Sequence, residues 1–544
     1  MSSADSSRPN ILLIIADQLR HDFIGAYQPD SSRFMKTPNL DALAKDGCLF
    51  ERAYSPNPVC IPARSNLLTG LPARFHGFDD NYFGPSAKPM PWYLPTFPQI
   101  LNDAGYHTAA IGKMHFQPDR RSTGFDLFLN QDEVVSDISE DDYALELREK
   151  GYRNIGSYHG VRNVLYMQPQ ESFLPEELHG SHWVADHCIE FLNDQTSSPK
   201  PFLLCAGFIH PHPPFDIPPS RAHLYDGKIP ARWHTDTPLS KLAIENQTLA
   251  DLPDEESINR MRELYACAIS CVDFNVGRII QALKDTGAYE NTLILFLSDH
   301  GEMLGDLDTY QKFLPYEPSS HVPFILRWPG HFTGGMHDRR FIDLNDVLPT
   351  LLDAAGISYT GPYELPGCSL NRHTKDRRYQ YIEHQHGCRR WCAILDDRYM
   401  FVHYYGDREQ LFDLKNDAEE THDLLYGSVD PKAVEISNSL REVLLNYEEK
   451  WGLPGMVQNH QFIEEPTMEI HPYYEGCYPH TTIRYPGDAQ MVDPLEDEIL
   501  KAIANEPTVH LSRLHIHDRL IREAGFTEER YQKLMEKAKK INRF

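Results

Sequence analysis

Long apolar runs, paired cysteines and positive charge are all scarce in this 544-residue chain, and each scarcity removes a class of function. No apolar stretch approaches the roughly 20 residues that cross a bilayer, so no membrane-spanning segment is expected. The polar start, Met1 to Arg8, precedes an apolar run, Ile11 to Ala16, too short for a signal-peptide core. As written the chain reads as cytoplasmic, and as periplasmic or secreted if a leader has been removed. Ten cysteines are scattered with no Cys-x-x-Cys pair, so reduced thiols are the default and no zinc knuckle is expected. Only 52 Lys and Arg stand against 79 Asp and Glu, a formal charge of −27, which argues against a nucleic-acid surface. An anionic substrate would need cations and a metal gathered locally.

What is present is ordinary globular composition, 41% hydrophobic and 24% charged, in a chain long enough for a large domain and a smaller one. The segment Asn57 to Gly77 stands out. In Cys60-Ile61-Pro62-Ala63-Arg64-Ser65-Asn66-Leu67-Leu68-Thr69-Gly70, Pro62 suits a first helical turn and Gly70 a helix end, which puts Cys60 at a helix amino terminus. Backbone N–H groups and the helix dipole favour negative charge there, and Arg64 lies one turn on. A lone cysteine in such a place is ordinarily a buried structural residue.

The β-branched run Ile11 to Ala16 reads as a central parallel strand that delivers Asp17-Gln18 at its carboxyl end, where ligands of α/β sheets collect. Alone, Asp17 serves equally as a helix cap. Thr292 to Leu297 is a second such strand and delivers Ser298-Asp299-His300-Gly301-Glu302. Two carboxylates, one amide oxygen and one imidazole make a single-cation site with open positions. Tyr106 to Ile111 leads to Gly112-Lys113-Met114-His115, where extended chain would project Lys113 and His115 to one side, and Phe202 to Phe208 leads to Ile209-His210-Pro211-His212. Capped helices are expected from Thr37 to Gly47, Thr96 to Ala104 and Asp346 to Ala355, and the three-and-four periodicity of Ile258 to Lys284 predicts a long amphipathic core helix. Residues 119–180 carry no assignable pattern.

The phrase Cys-x-Pro-x-Arg with Leu-Leu-Thr-Gly resembles the type I sulfatases of the alkaline phosphatase superfamily. The likeness runs in order from Arg8 to about Leu424, through Thr37-Pro38-Asn39-Leu40, Gly112-Lys113-Met114-His115, Asp299-His300 and Lys312-x-x-x-Tyr316-Glu317. It implies an alkaline-phosphatase-like fold: a mixed, largely parallel central sheet flanked by helices in residues 1–375, and a smaller C-terminal α+β subdomain with an antiparallel sheet in 376–544. It also implies that Cys60 is oxidised to formylglycine by a formylglycine-generating enzyme, and that Asp17, Gln18, residue 60, Asp299 and His300 hold one divalent cation. The family often has Asp where Gln18 stands; oxygen richness favours Ca²⁺, while the histidine and the Asp-Gln pair keep Mn²⁺ open. In the implied reaction one hydroxyl of the formylglycine hydrate attacks sulfur, and the other later loses a proton to His115 so that sulfate departs. Arg64 and Lys113 steady residue 60, His210 and Lys312 bind the anion and help the leaving group, and Asn81 joins the substrate contacts, while His212 reads as solvated.

Three functions follow from these residues: a sulfatase acting on a small-molecule or glycan sulfate ester, a phosphonate monoester or phosphodiester hydrolase, and a non-catalytic sulfoglycan-binding protein with unconverted Cys60. Past Cys368 the strands Tyr379 to Glu383, Trp391 to Leu395 and Arg398 to His403 are expected, with a helix near Val434 to Tyr447. The Tyr-, His- and Pro-rich stretch His471 to Tyr485 and helices near 495–505 and 528–541 carry no family motif, and oligomeric state is not legible.

Overall fold

The computed structural model describes residues 8–81, 89–116, 123–133, 138–152, 158–160, 167, 169–247, 254–371 and 377–470. The stretch His471 to Tyr485 and the two helices expected after it lie outside these residues. Eight strands form the main sheet: Asn10–Ala16 (β1), Cys48–Phe50 (β2), His107–Gly112 (β3), Leu127–Asn130 (β4), Phe202–Phe208 (β5), Thr292–Leu297 (β6), Phe324–Arg327 (β7) and Met336–Asp338 (β8). Their spatial order is β8-β2-β7-β6-β1-β5-β3-β4. All run parallel except β7, which is antiparallel to both neighbours.

Period-two alternation divides the core. On one face Leu12 and Ile14 of β1 pack with helices Pro38–Asp46 (α1), Gly180–Gln195 (α4) and Glu255–Asp285 (α5). On the other, Ile11, Leu13 and Ile15 pack with Cys60–Thr69 (α2), Phe97–Asp103 (α3) and Val347–Ala354 (α6). Helix α5 is long and apolar enough to cross a bilayer, yet its apolar residues are the middle of this core. That double cover is why β1, β5 and β6 read as continuous apolar runs.

Register brings the strand ends together. Ile15 of β1 faces Leu297 of β6, and Ala16 faces Phe208 of β5, so Asp17, Asp299 and the His210 turn leave the sheet side by side. Strand β3 pairs with β5 through Gly112 and Gly207, and no side chain fits between them: a Cβ on Gly207 would stand 2.1 Å from the carbonyl oxygen of Lys113. Gly112 also takes φ +94°, so the chain turns out of the strand before Lys113.

The C-terminal sheet, Gln380–His384 (β9), Trp391–Leu395 (β10), Tyr399–Tyr404 (β11) and Gln410–Asp413 (β12), is antiparallel throughout and carries helix Pro431–Trp451 (α7) on one face. Its other face joins a mixed cluster in which Ile382, Trp391, Met400 and Phe412 pack on Tyr54, Met303, Leu314 and Tyr316 of the first part. The Trp391 indole donates to the carbonyl of Phe313 at 2.9 Å, and Phe313 N donates to Pro58 O at 3.2 Å. The small sheet thereby ties the Lys312 loop to the Cys60 loop.

Candidate active site

Helix α2 begins at Cys60 and ends in left-handed Gly70, and all ten of its residues are buried. Val59, which precedes it, offers no side-chain cap; instead the Asn81 carboxamide oxygen accepts from Ile61 N at 2.9 Å. One turn along, Arg64 is clamped in place. Its guanidinium donates to Asp299 Oδ2 at 2.8 Å, to Asp17 Oδ2 at 3.1 Å and to the Lys113 carbonyl at 2.7 Å.

Four ligand atoms, one each from Asp17, Cys60, Asp299 and His300, lie within 4.8 Å of one another and are all buried. His300 Nδ1 faces the Gly301 carbonyl at 3.0 Å, an oxygen that only accepts, so the other ring nitrogen presents a lone pair to the cluster, 3.1 Å from Cys60 Sγ. Two carboxylates, a neutral imidazole and residue 60, held by neighbouring bonds, fit a divalent cation. Gln18, the fifth residue expected there, lies beside the group: its backbone N–H donates to Asp299 Oδ1 at 3.1 Å, its amide oxygen accepts from Lys312 Nζ at 2.6 Å and its amide nitrogen donates to Glu302. Its φ of 63° is left-handed.

The cations form the opposite wall. Lys113 Nζ lies 2.6 Å from Asp17 Oδ2 and 3.1 Å from Glu133 Oε1. Burial disfavours the lysine's charge, but Asp17 and Glu133 outweigh it and hold the pKa above the ordinary range. Burial likewise opposes the Asp17 charge, and Lys113 and Arg64 reverse the balance, keeping its carboxyl well below the usual range. Cys60 goes the other way: burial and then Asp17 push its thiol up to about 12, so the unmodified side chain is a thiol and not a thiolate nucleophile. His115 is buried, and burial with Lys113 beside it keeps the imidazole neutral. It also sits at φ 58°, so the extended backbone expected through Lys113 and His115 is broken by a left-handed residue at His115.

The two histidines after β5 exchange parts. His210 stacks on His179 at 4.8 Å and faces Asp216 Oδ1 at 3.1 Å and Ser181 Oγ at 3.4 Å. His212 is only 1% exposed, and its Nε2 lies 2.9 Å from Lys312 Nζ. Of the two, His212 is therefore the histidine beside Lys312. A single intervening proline leaves both in the same motif, and nothing in the sequence says which one the turn aims inward. Glu133 was missed altogether, although Gln131-Asp132-Glu133 follows β4 as Asp17 follows β1. Asn81 serves here as the cap of α2.

These features recur in known proteins. A profile described as Sulfatase matches residues 9–357, and one described as N-sulphoglucosamine sulphohydrolase, C-terminal, matches 305–450. The chain is 32% identical over 449 residues to an arylsulfatase of Clostridium perfringens, covering 77% of this chain and 90% of that one. It is 31% identical over 451 residues to a choline-sulfatase of Rhizobium meliloti, covering 77% and 83%. The phosphonate monoester hydrolase structure of Agrobacterium radiobacter superposes with a TM-score of 0.68 at 26% identity, over 81% of this chain and 96% of that one. With the profile spanning most of the chain and the Cys60 helix, acidic cluster and cationic wall in one place, this protein belongs to the sulfatase family.

Proposed function

We propose that the protein hydrolyses sulfate monoesters to an alcohol and inorganic sulfate, with residue 60 as nucleophile after oxidation of Cys60 to formylglycine. The observation that carries this reading is the convergence on residue 60 of an acidic, metal-fitting cluster on one side and Lys113, Lys312 and His212 on the other. In a chain of formal charge −27 such a wall attracts an anion only locally. When bound, a divalent cation, Ca²⁺ in preference to Mn²⁺, supplies Lewis-acid activation of the residue-60 oxygen and offsets sulfate charge. Lys113 and Lys312 draw in the sulfate group, Arg64 fixes Asp17, Asp299 and the Lys113 backbone, and neutral His115 is the base for the second hydroxyl. Because α2 is wholly buried, a formylglycine-generating enzyme acts on the Cys60 segment before the chain folds.

The alcohol part is a small molecule or a glycan. A second reading, phosphonate monoester hydrolysis, draws on the Asp17-Gln18 pair and on the Agrobacterium likeness. Purified protein co-produced with a converting enzyme should hydrolyse an aryl sulfate faster than the matching aryl phosphonate, and mass spectrometry of the Cys60 peptide should show the aldehyde. Cys60→Ala should abolish turnover while the fold persists; substantial residual hydrolysis by that variant would overturn the assignment.

A further inference from the structure

A buried carboxylate beside an anion pocket repels the substrate, so Glu133 needs a reason to be there. Its side chain is 3% exposed, and Glu133 Oε2 lies 2.7 Å from His212 Nδ1. One carboxylate oxygen, one His212 ring nitrogen and Cys60 Sγ fall within 4.8 Å of one another. His212 Nδ1 also faces the Pro213 carbonyl at 2.6 Å. Both neighbours of Nδ1 accept, so Nδ1 carries the hydrogen and Nε2 is left as a lone pair. That lone pair receives Lys312 Nζ at 2.9 Å, while Gln18 Oε1 receives it at 2.6 Å. An ammonium has three N–H bonds in a fixed tetrahedral arrangement, and fixing two of them fixes the third.

We propose that Glu133 is a positioning residue: by setting the His212 tautomer it orients the Lys312 ammonium so that its third N–H meets the ester oxygen that leaves as alcohol. This rests on the sulfatase reading. In the step concerned, the residue-60 hydroxyl loses its proton to water as its oxygen bonds to sulfur, and the bond from sulfur to the alcohol oxygen breaks. Its electron pair stays on the alcohol oxygen, which takes a proton from Lys312 Nζ; the resulting amine regains a proton from water after the alcohol departs. Glu133 neither touches the substrate nor loses a proton. Its charge is balanced by Lys113, which limits its repulsion of the sulfate.

Glu133→Gln discriminates, because Lys113 demands the carboxamide oxygen and thereby turns the amide N–H toward His212 Nδ1, against the tautomer that Lys312 requires. The measurement compares 4-nitrophenyl sulfate, whose phenolate leaves unaided, with an alkyl sulfate, whose alkoxide needs a proton. The expected result is a fall in kcat of about a hundredfold for the alkyl ester and less than tenfold for the aryl ester, with KM little changed and thermal stability near that of the wild type. Glu133→Asp, which still only accepts, should keep the wild-type ratio of aryl to alkyl rates. If Glu133→Gln does not fold, His212→Gln reads the same relay and should show the same selective loss. Equal losses on both esters, or no loss, would overturn the proposal. Wild-type protein that turns over phosphonate but not sulfate monoesters would overturn the sulfatase reading alone, and the aryl and alkyl comparison is then made on phosphonates.

Discussion

Lys113 and Lys312 differ in what surrounds them, and the difference assigns their work. Lys113 is ion-paired with Asp17 and Glu133, so much of its charge is spent inside the protein. The hydrogen-bond partners of the Lys312 ammonium among the described residues are the neutral Gln18 amide and His212 ring, which leaves its charge for the substrate. Lys312→Ala should lower kcat/KM for every sulfate ester tested, by about 2 to 4 kcal/mol if the transition state loses a fixed donor at its ester oxygen, and by more for an alkyl than for an aryl ester. A defect confined to one of two esters with unrelated alcohols would mean that Lys312 reads only the alcohol. His76 carries a different prediction. Its Nε2 donates to Asn66 Oδ1 at 2.7 Å and its Nδ1 accepts from Phe78 N at 3.1 Å, an arrangement open only to the neutral ring, and burial lowers its pKa to about 3. The folded value lies below the unfolded one near 6.5, so between these pH values the unfolded chain binds more protons and stability falls as pH drops. His76→Gln removes that contribution. The stability gap between wild type and variant should close by about 1.4 kcal/mol for each pH unit below 6.5, measured by denaturant titration; a gap independent of pH would show that His76 titrates alike in both states.

At the scale of elements, the site depends on how closely two strands approach. Gly112 and Gly207 let β3 and β5 deliver Lys113 with its carbonyl aimed at Arg64. Gly207→Ala would push that carbonyl away and disturb Lys113 and Arg64 together, so activity should fall at least tenfold, a loss of about 1.4 kcal/mol or more in transition-state stabilisation, while the far C-terminal sheet remains folded. Retained activity would show that the strands can spread without moving Arg64. What was legible in the sequence follows from the same geometry. Strands β1, β5 and β6 are buried on both faces and announce themselves as apolar runs, so the residues at their carboxyl ends could be named: Asp17, Asp299 and His300. Glu133 follows β4, a four-residue strand with three half-buried positions, and no run of that kind marks it. Helix α4 was hidden because its cap is His179, whose ring accepts from Ser181 N, and not one of the usual Ser, Thr, Asp or Asn. The choice of His212 over His210 depended on the direction of one turn, and the cap formed by Asn81 on a contact twenty residues away.

At the scale of the whole molecule, an acidic protein has concentrated charge of both signs at one end of a sheet. Four buried carboxylates, Asp17, Glu133, Asp299 and Glu302, face three buried cations, Arg64, Lys113 and Lys312. Without a metal the acidic side prevails, and burial by itself raises the Glu302 pKa. A divalent cation held by Asp17 and Asp299 would reverse the local sign, turning a site that repels a sulfate ester into one that attracts it. Since such a cation binds the folded chain and has no assembled site in the unfolded one, it should also stabilise the fold, by about 2.7 kcal/mol at a hundredfold excess over Kd. Chelation should therefore abolish turnover and lower Tm together, and re-addition of Ca²⁺ should restore both; restoration by Mn²⁺ alone would assign that ion instead. Asp299→Asn separates the metal from the rest of the site: it should blunt the Tm response to added metal while leaving the core packing of β6 intact. If chelated protein kept its Tm and its turnover, and Asp299→Asn responded to metal as the wild type does, the acidic cluster would be a network closed by Arg64 and Lys113 alone, with no cation in its chemistry.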